Sequence, residues 1–143
     1  MKSDNMLMFL VQDDLALIRE KSSSKEFKKG EIVLKEGVIC HNVYRLVKGR
    51  VKVVTDVRGE EVVVGHLEPG ELLGVASFLN GSGIAATAIA SEKCECEVIA
   101  AHDLQSLLES VPGMAVRFYR SLGSVLADRL DLVLKQVTPP VLS

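Results

Sequence analysis

The chain has 143 residues, of which 48 % are apolar and 25 % charged, and its formal net charge is −2. This length and composition predict one globular domain, residues 1–143, and exclude a disordered or fibrous chain. The slightly acidic balance argues against a nucleic-acid-binding domain, for which a basic surface is expected. The acidic N-terminus is a poor secretory signal, and three cysteines without such a signal fit a cytoplasmic protein. The longest uncharged apolar stretch, Leu72–Leu79, is too short to span a bilayer.

The first part of the chain predicts a short helix, followed by a long run of strands. Apolar residues at helical spacing predict a helix over Asp4–Glu20, which the polar loop Lys21–Ser24 ends. From about residue 25 to 101 the chain is rich in Val and Ile and is interrupted by regularly spaced glycines, a pattern typical of a β-barrel or sandwich. Turns are predicted at Arg58-Gly59 and Glu68–Glu71. The predicted strands are EIVLKEG, NVYRLVKG, RVKVVTDV, EEVVVGHLE, TAIASE and CECEVIAA.

The last part of the chain, about residues 103–137, predicts two helices. The first covers Leu104–Ser110 with Asp103 as its N-cap. The second begins at Pro112, which suits a first helical turn, and ends near Val137. Apolar positions cover about half of the circumference of this long helix, and one face against its own domain needs only about 100°.

The surplus of apolar surface on the long helix predicts a homodimer, with complete packing on its own domain as the alternative. The dimer seam is expected at Phe118, Leu122, Val125 and Leu132. The side of the helix that faces the β-roll is expected at Leu126, Leu130 and Val133. Both assignments assume a straight helix with 100° per residue.

Three segments resemble the cyclic-nucleotide-binding domain, the sensor module of Crp–Fnr regulators, of protein kinase A regulatory subunits and of cyclic-nucleotide-gated channels. They are F-K-K-G-E-I-V-L-K-E-G at 27–37, V-Y-R-L-V-K-G-R-V-K-V at 43–53 and L-E-P-G-E-L-L-G at 67–74. The order of the predicted elements also resembles this family, from Phe9 to about Leu134. The resemblance implies a mainly β fold, a double-stranded β-helix or jelly roll with an N-terminal helix and a short and a long C-terminal helix.

The resemblance places the ligand site in the family's phosphate-binding cassette, roughly Gly-Glu-Leu-Ala followed after about six residues by Arg-Ala-Ala-Thr or Arg-Ser-Ala. In the family the Arg pairs with the cyclic phosphate and the Glu accepts a hydrogen bond from the ribose 2′-hydroxyl. The matching positions here are Gly74, Val75, Ala76, Ser77, Ile84, Ala85, Ala86 and Thr87. Val75 replaces the Glu and Ile84 replaces the Arg. We therefore expect an apolar pocket in which cAMP and cGMP binding is weakened or lost.

Arg129 on the long helix is the candidate for a compensating cation, because this helix lies over the pocket in the family. Two alternatives stay open for it. In the first, Arg129 is a lid that reaches an anion in the pocket. In the second, it is solvated or paired with a nearby carboxylate.

Other kinds of chemistry have little support in the sequence. His41, His66 and His102 fall in different predicted elements without an H-x-H pair, so we expect no metal site. Cys94-x-Cys96 is too tight for the usual zinc spacing. Neither a nucleophile with its base nor a pair of carboxylates in a loop is visible, so we expect no enzyme.

These observations predict a stand-alone regulatory domain that acts as a sensor or a docking module and needs no cofactor, with a weakly bound cyclic nucleotide as an open alternative. The expected partners are a second copy of the chain and a small-molecule ligand or a regulatory protein. Only Thr138–Ser143 follow the long helix, so we expect no DNA-binding element and no membrane contact. The competing hypotheses are an interaction module with a vestigial pocket and, more weakly supported, a cupin-like metal enzyme.

Overall fold

The computed structural model describes residues 6–136, which form two antiparallel sheets of four strands each with helices before, between and after the strands. The strands are β1 (Ser23–Phe27), β2 (Ile32–Leu34), β3 (Asn42–Lys48), β4 (Val51–Val57), β5 (Glu60–Leu67), β6 (Leu72–Leu73), β7 (Thr87–Ala90) and β8 (Cys94–Ala100). The helices are α1 (Gln12–Lys21), α2 (Val75–Asn80), α3 (Ala101–Ser110) and α4 (Met114–Gln136). This architecture confirms the expected jelly roll with an N-terminal helix and a short and a long C-terminal helix.

Each sheet combines strands from both ends of the roll, in the orders β1-β8-β3-β6 and β2-β7-β4-β5. The β4–β5 hairpin turns at Arg58 and Gly59, whose φ angles are 54° and 86°. Two consecutive positive φ angles are what a type I′ turn requires, and Gly adopts one of them without a steric penalty. The predicted hairpin turn at these two residues is therefore confirmed.

Two hydrophobic clusters form the core, one on each side of the β1-β8-β3-β6 sheet. The inter-sheet cluster contains Phe27, Leu46 and Val51. The helical cluster lies between the sheet and the helices and contains Leu104, Met114 and Phe118. The sheet is covered on both faces because successive side chains of a strand point in opposite directions, and both Val43 and Tyr44 of β3 are buried.

A buried ion pair fixes α1 to α4. Asp14 is 1 % exposed, and its two carboxylate oxygens accept hydrogen bonds from Arg117 Nε at 2.7 Å and Arg117 Nη2 at 2.8 Å. The Val11 N–H also donates to this carboxylate, at 3.1 Å. Chiefly because of the Arg117 hydrogen bond, the pKa of Asp14 lies below its usual value.

Several predicted boundaries were wrong. Helix α1 begins at Gln12, since the described residues 6–11 before it are not helical, and α4 begins at Met114 and not at the expected Pro112. The expected helix start at Asp4, the expected end of the long helix at Val137 and the tail 138–143 lie outside the described residues. The second half of the predicted polar loop Lys21–Ser24 belongs to strand β1, because Ser23–Phe27 pairs along its whole length with β8. Helix α3 begins at Ala101, so Asp103 lies in its first turn and is not the N-cap.

The predicted faces of α4 were also wrong. Phe118, Leu122 and Val125, assigned to a dimer seam, are 1–4 % exposed in the helical cluster. Leu126, Leu130 and Val133, assigned to the β-roll, are 56–59 % exposed. The periodicity of apolar residues shows that they share one side of the helix, but it does not show which other element of the fold packs against that side. Here, the N-terminal segment and α3 cover the Phe118 side, and every described residue after Val125 is exposed.

Leu132, the fourth residue assigned to the seam, is 60 % exposed. Although α4 is long, no helix within residues 6–136 is apolar enough over a sufficient length to cross a membrane.

Candidate functional site

A groove of about 450 Å³ lies between the β4–β5 hairpin and α4. The hairpin contributes one wall, the turn between β5 and β6 contributes two carboxylates, and α4 contributes one guanidinium. The lining residues are Val53, Val64, Gly65, His66, Leu67, Glu68, Glu71 and Arg129. The groove is thus apolar along the hairpin and charged where the turn faces α4.

The space in the groove follows from the structure of the hairpin. Val53 of β4 pairs with Gly65 of β5, which has no side chain to fill the groove, and the ladder shifts register between Val53 and Val54. Strand β5 is an edge strand, and its Val62, Val63 and Val64 are 40–58 % exposed. The middle of β5 is therefore exposed on both faces, and Val64 is the one of these three residues that lines the groove.

The charged end of the groove is an ion pair between Arg129 and Glu71. Arg129 Nη2 donates a hydrogen bond to Glu71 Oε1, and the Glu68 N–H donates to Glu71 Oε2 at 2.8 Å. The Glu71 side chain is 3 % exposed, whereas that of Arg129 is 43 % exposed. Both oxygens of a buried carboxylate are thus satisfied, and the cation that satisfies one of them still reaches solvent.

The turn that carries Glu71 is fixed to the sheet by backbone hydrogen bonds. The Glu71 N–H donates to Glu68 O at 3.1 Å, and the Leu46 N–H donates to Glu71 O at 3.0 Å. The Gly70 N–H donates to Leu46 O at 2.7 Å. The position of the carboxylate is therefore set by β3 as well as by the predicted Glu68–Glu71 turn, which the structure confirms.

The first half of the cassette is a tightly packed turn into α2. Gly74 adopts a φ of 82°, and a Cβ at this position would lie 2.7 Å from Asn42 O, so only Gly fits. Ser77 is 6 % exposed, and its hydroxyl donates to Ser82 O at 2.6 Å and accepts from the Cys40 N–H at 3.3 Å. Ser77 therefore holds the cassette loop together, while Ala76 is exposed.

The second half of the cassette is tied to the β2–β3 connection. The Gly37 N–H donates to Ile84 O at 2.8 Å, and the Ile84 N–H donates to Val38 O at 2.9 Å. Thr87 Oγ1 accepts a hydrogen bond from the Glu36 N–H at 3.0 Å. Of the two alanines between them, Ala85 is exposed and Ala86 is half-buried.

The structure does not bring the two replaced charge positions into one cluster. Val75 packs against the helical cluster and Ile84 against the inter-sheet cluster. Neither residue lines the groove, which ends at Glu71, three residues before Gly74. Each replacement therefore fills an apolar environment of its own.

Sequence reasoning missed the role of Glu71. Glu71 is part of the L-E-P-G-E-L-L-G segment, but the sequence analysis assigned no charge partner to it. The available signal was an acidic residue directly before two leucines that had to be buried. For Arg129, the structure shows the paired alternative, and it also places the side chain in the wall of the groove.

The remaining reactive groups are buried or scattered. Burial raises the pKa of the Cys94 thiol and raises that of Cys96 to about 11, which keeps both thiols neutral. Within the described part of the chain, no group of three or more His, Cys, Asp or Glu side chains is placed to hold a metal ion.

Comparison with known proteins places this domain in a family. The cyclic nucleotide-binding domain family matches residues 24–111, more than half of the chain. The chain belongs to this family. The domain is a regulatory domain of the cyclic-nucleotide-binding fold, as the resemblance of its three segments predicted.

Two relatives define how far the similarity extends. The cyclic AMP receptor protein of Thermus thermophilus is 26 % identical over 131 residues, which are 91 % of this chain and 59 % of that protein. The domain thus spans about three fifths of that relative. The crystal structure of the Thermus thermophilus catabolite activator protein is 26 % identical and superposes with a TM-score of 0.76, covering 92 % of this chain and 62 % of that one.

A third comparison concerns the fold alone. A cyclic nucleotide-binding domain from Methylobacillus flagellatus superposes with a TM-score of 0.80 at 17 % identity, covering 92 % of this chain and 74 % of that one. Conservation of the fold at so low an identity shows that the jelly roll and its helices are the shared feature.

Proposed function

We propose that the domain is a dimeric sensor in which binding of cAMP and cGMP at the cassette is weakened or lost. The observation that carries this proposal is the packing of Val75 and Ile84 into two separate apolar clusters. At these positions the domain offers neither a carboxylate to a ribose hydroxyl nor a guanidinium to a phosphate. Its role is regulatory, not catalytic.

The one guanidinium that lines the groove is already engaged. A phosphate that recruited Arg129 would leave Glu71 as a buried carboxylate without its cation, and a buried unsatisfied acceptor costs about 1–3 kcal/mol or more. The second carboxylate of the lining, Glu68, pairs with Arg50 at 3.0 Å, so the described lining of the groove offers no unpaired cation to an anion. The groove therefore favours a neutral or cationic ligand over a cyclic nucleotide.

Calorimetry with cAMP and cGMP tests the loss of binding. The expected result is no binding tighter than the high-micromolar range, because each lost charge-assisted contact weakens binding by ~2–5 kcal/mol. Saturation of the domain by either nucleotide at submicromolar concentration would contradict the proposal.

The dimer part of the proposal rests on the exposed half of α4. Leu126, Leu130 and Val133 are spaced by four and three residues, the alternation that places apolar side chains on one seam of a coiled coil. All three are more than half exposed, and so large an apolar stripe marks an interface on a soluble protein. The seam that we propose therefore lies beyond Val125 and is rotated by roughly 90° around the helix from the one that was predicted.

Paired charge substitutions test this seam. Leu126→Glu combined with Leu130→Glu places like charges across a two-fold axis and should convert the dimer to a monomer. Leu132→Glu is the matched control, because Leu132 is equally exposed but projects about 120° away from Leu126 on the helix. Sedimentation should detect a dimer for the wild type and the control only. A wild-type monomer at tens of micromolar, with normal circular dichroism, would refute the dimer.

A further inference from the structure

A second cavity lies between α1 and the helix-covered face of the β1-β8-β3-β6 sheet, and it shares no lining residue with the groove. Its volume is about 120 Å³. Six of its twelve lining residues are buried apolar side chains: Leu7, Val43, Leu72, Ile99, Leu104 and Phe118. Its polar rim is formed by residues of α1, β3 and β8.

The interior of this cavity suits an apolar occupant. Water in a cavity needs two to four polar partners, whereas an apolar cavity of about 150 Å³ stays dry and accepts benzene. The present cavity is of similar size, and Leu15 and Ile18 of α1 continue the apolar lining to its half-exposed edge. The occupant should therefore have an apolar body of about six carbons.

The rim adds a preference for charge. Arg45 and Glu97 face each other across β3 and β8 and form an ion pair at the rim, so their charges compensate each other. Arg19, in the last turn of α1, also lines the cavity and makes no ion pair with any residue from 6 to 136. The rim thus carries one positive charge in excess beside an apolar interior.

We propose that this cavity is a ligand site for a small apolar monocarboxylate of the size of benzoate. The apolar body lies against Phe118 and Ile99, and the carboxylate lies at the rim beside Arg19. The proposal is independent of the function proposed for the groove, because it uses different residues and a different ligand.

An NMR titration of the full chain with benzoate tests the site, with benzamide as the neutral ligand of the same shape. Benzoate should shift the amide signals of Ile18, Val43 and Ile99 and should bind about tenfold more tightly than benzamide, since the difference is one charge-assisted contact of about 1.4 kcal/mol. Dodecanoate has the same head group but a body too large for the cavity, and it should not compete.

Two variants assign the contacts. Arg19→Gln should remove the preference for benzoate over benzamide, whereas Arg58→Gln, which removes an exposed charge at the hairpin turn, should leave it unchanged. Ile18→Phe should fill the edge of the cavity and abolish binding of both ligands, and its amide spectrum reports whether it folds. If Ile18→Phe does not fold, the chemical shifts of the wild type and the result for Arg19→Gln still test the proposed site.

Three results would overturn the proposal: no shifts at tens of millimolar benzoate, shifts centred away from the cavity, or equal binding of benzoate and benzamide by the wild type. Tighter binding of dodecanoate than of benzoate would overturn the proposed size of the ligand.

Discussion

Replacing Glu71 by Gln should raise the affinity of the domain for cAMP and for other phosphate anions. In the wild type, Glu71 holds Arg129 by a direct hydrogen bond. The Gln side chain keeps an acceptor for the Glu68 N–H but loses the negative charge. Arg129 then becomes available to an anion, and it remains partly solvated when no anion is bound, because its side chain is 43 % exposed.

The size of the effect follows from the geometry of the pair. Two unit charges about 4 Å apart interact by about 4 kcal/mol at an effective dielectric constant of 20. Solvent screening at the half-exposed Arg129 reduces this to about 1–2 kcal/mol. The expected gain in affinity for an anion is therefore roughly 5- to 30-fold.

The assay is an NMR or calorimetric titration of cAMP against the wild type and two variants. Glu68→Gln is the matched control, because Glu68 lines the same groove and its loss changes the net charge equally, but it pairs with Arg50 at 3.0 Å. Only Glu71→Gln should show the full gain. Equal gains in both variants would show a general charge effect, and no gain in either would show that Arg129 does not serve as a phosphate cation. Either result refutes the reasoning.

Two further predictions concern the cassette and the anchor of α1. The double change Val75→Glu with Ile84→Arg should restore more cAMP binding than the two single changes together, since the two groups would contact the ribose and the phosphate of one ligand and their contributions multiply in affinity; a folded double variant that calorimetry finds no better than the singles would show that the cassette is not the site. Asp14→Asn should lower the free energy of unfolding by roughly 1–3 kcal/mol, and Asp13→Asn, its exposed neighbour, should not. Because folding lowers the pKa of Asp14, the stability difference between the wild type and Asp14→Asn should be constant above pH about 5 and should shrink as the pH falls below 3.8, the usual value for this carboxyl. Denaturant unfolding at several pH values measures this difference. A difference that grows towards low pH would contradict the prediction.

The sequence predicted the parts of the fold that depend on local chemistry. A turn such as Arg58-Gly59 is determined by the φ angles that its own residues adopt, so the hairpin was visible without knowledge of its surroundings. The same holds for Glu68–Glu71, where Pro and Gly occupy the turn. These turns divide the chain into strands of suitable length, which is enough to indicate a β-roll.

The errors arose where distant parts of the chain decide. Strand β1 has a polar sequence with four exposed residues of five, and it is a strand because β8 offers an unpaired edge. Whether Phe118 or Leu130 faces the domain depends on where α3 and the N-terminal segment lie. Neither neighbour can be recognised from the periodicity of α4 itself.

The candidate site was predicted only as far as residue types allowed. The loss of both charges at Val75 and Ile84 can be observed in the sequence, but their separation into two clusters depends on the path of the loop between Gly81 and Ala86. The pairing of Glu71 with Arg129 joins residues 58 positions apart. A contact of this kind needs the fold before it can be inferred.

The groove and the proposed dimer seam meet on a single stretch of α4. Arg129 lies directly before Leu130, between the seam positions Leu126 and Val133. Within the described residues, its bond to Glu71 is the salt bridge that joins the exposed half of α4 to the β-roll, since the other one in this half, Lys135–Asp131, stays within the helix. A ligand that breaks the pair of Arg129 and Glu71 would remove this salt bridge between the exposed half of α4 and the β-roll. If ligand binding and dimerisation are coupled through this salt bridge, a partner on the seam changes the affinity of the groove by the same free energy. Under the proposed function, this connection is the route by which binding in the groove would reach the seam.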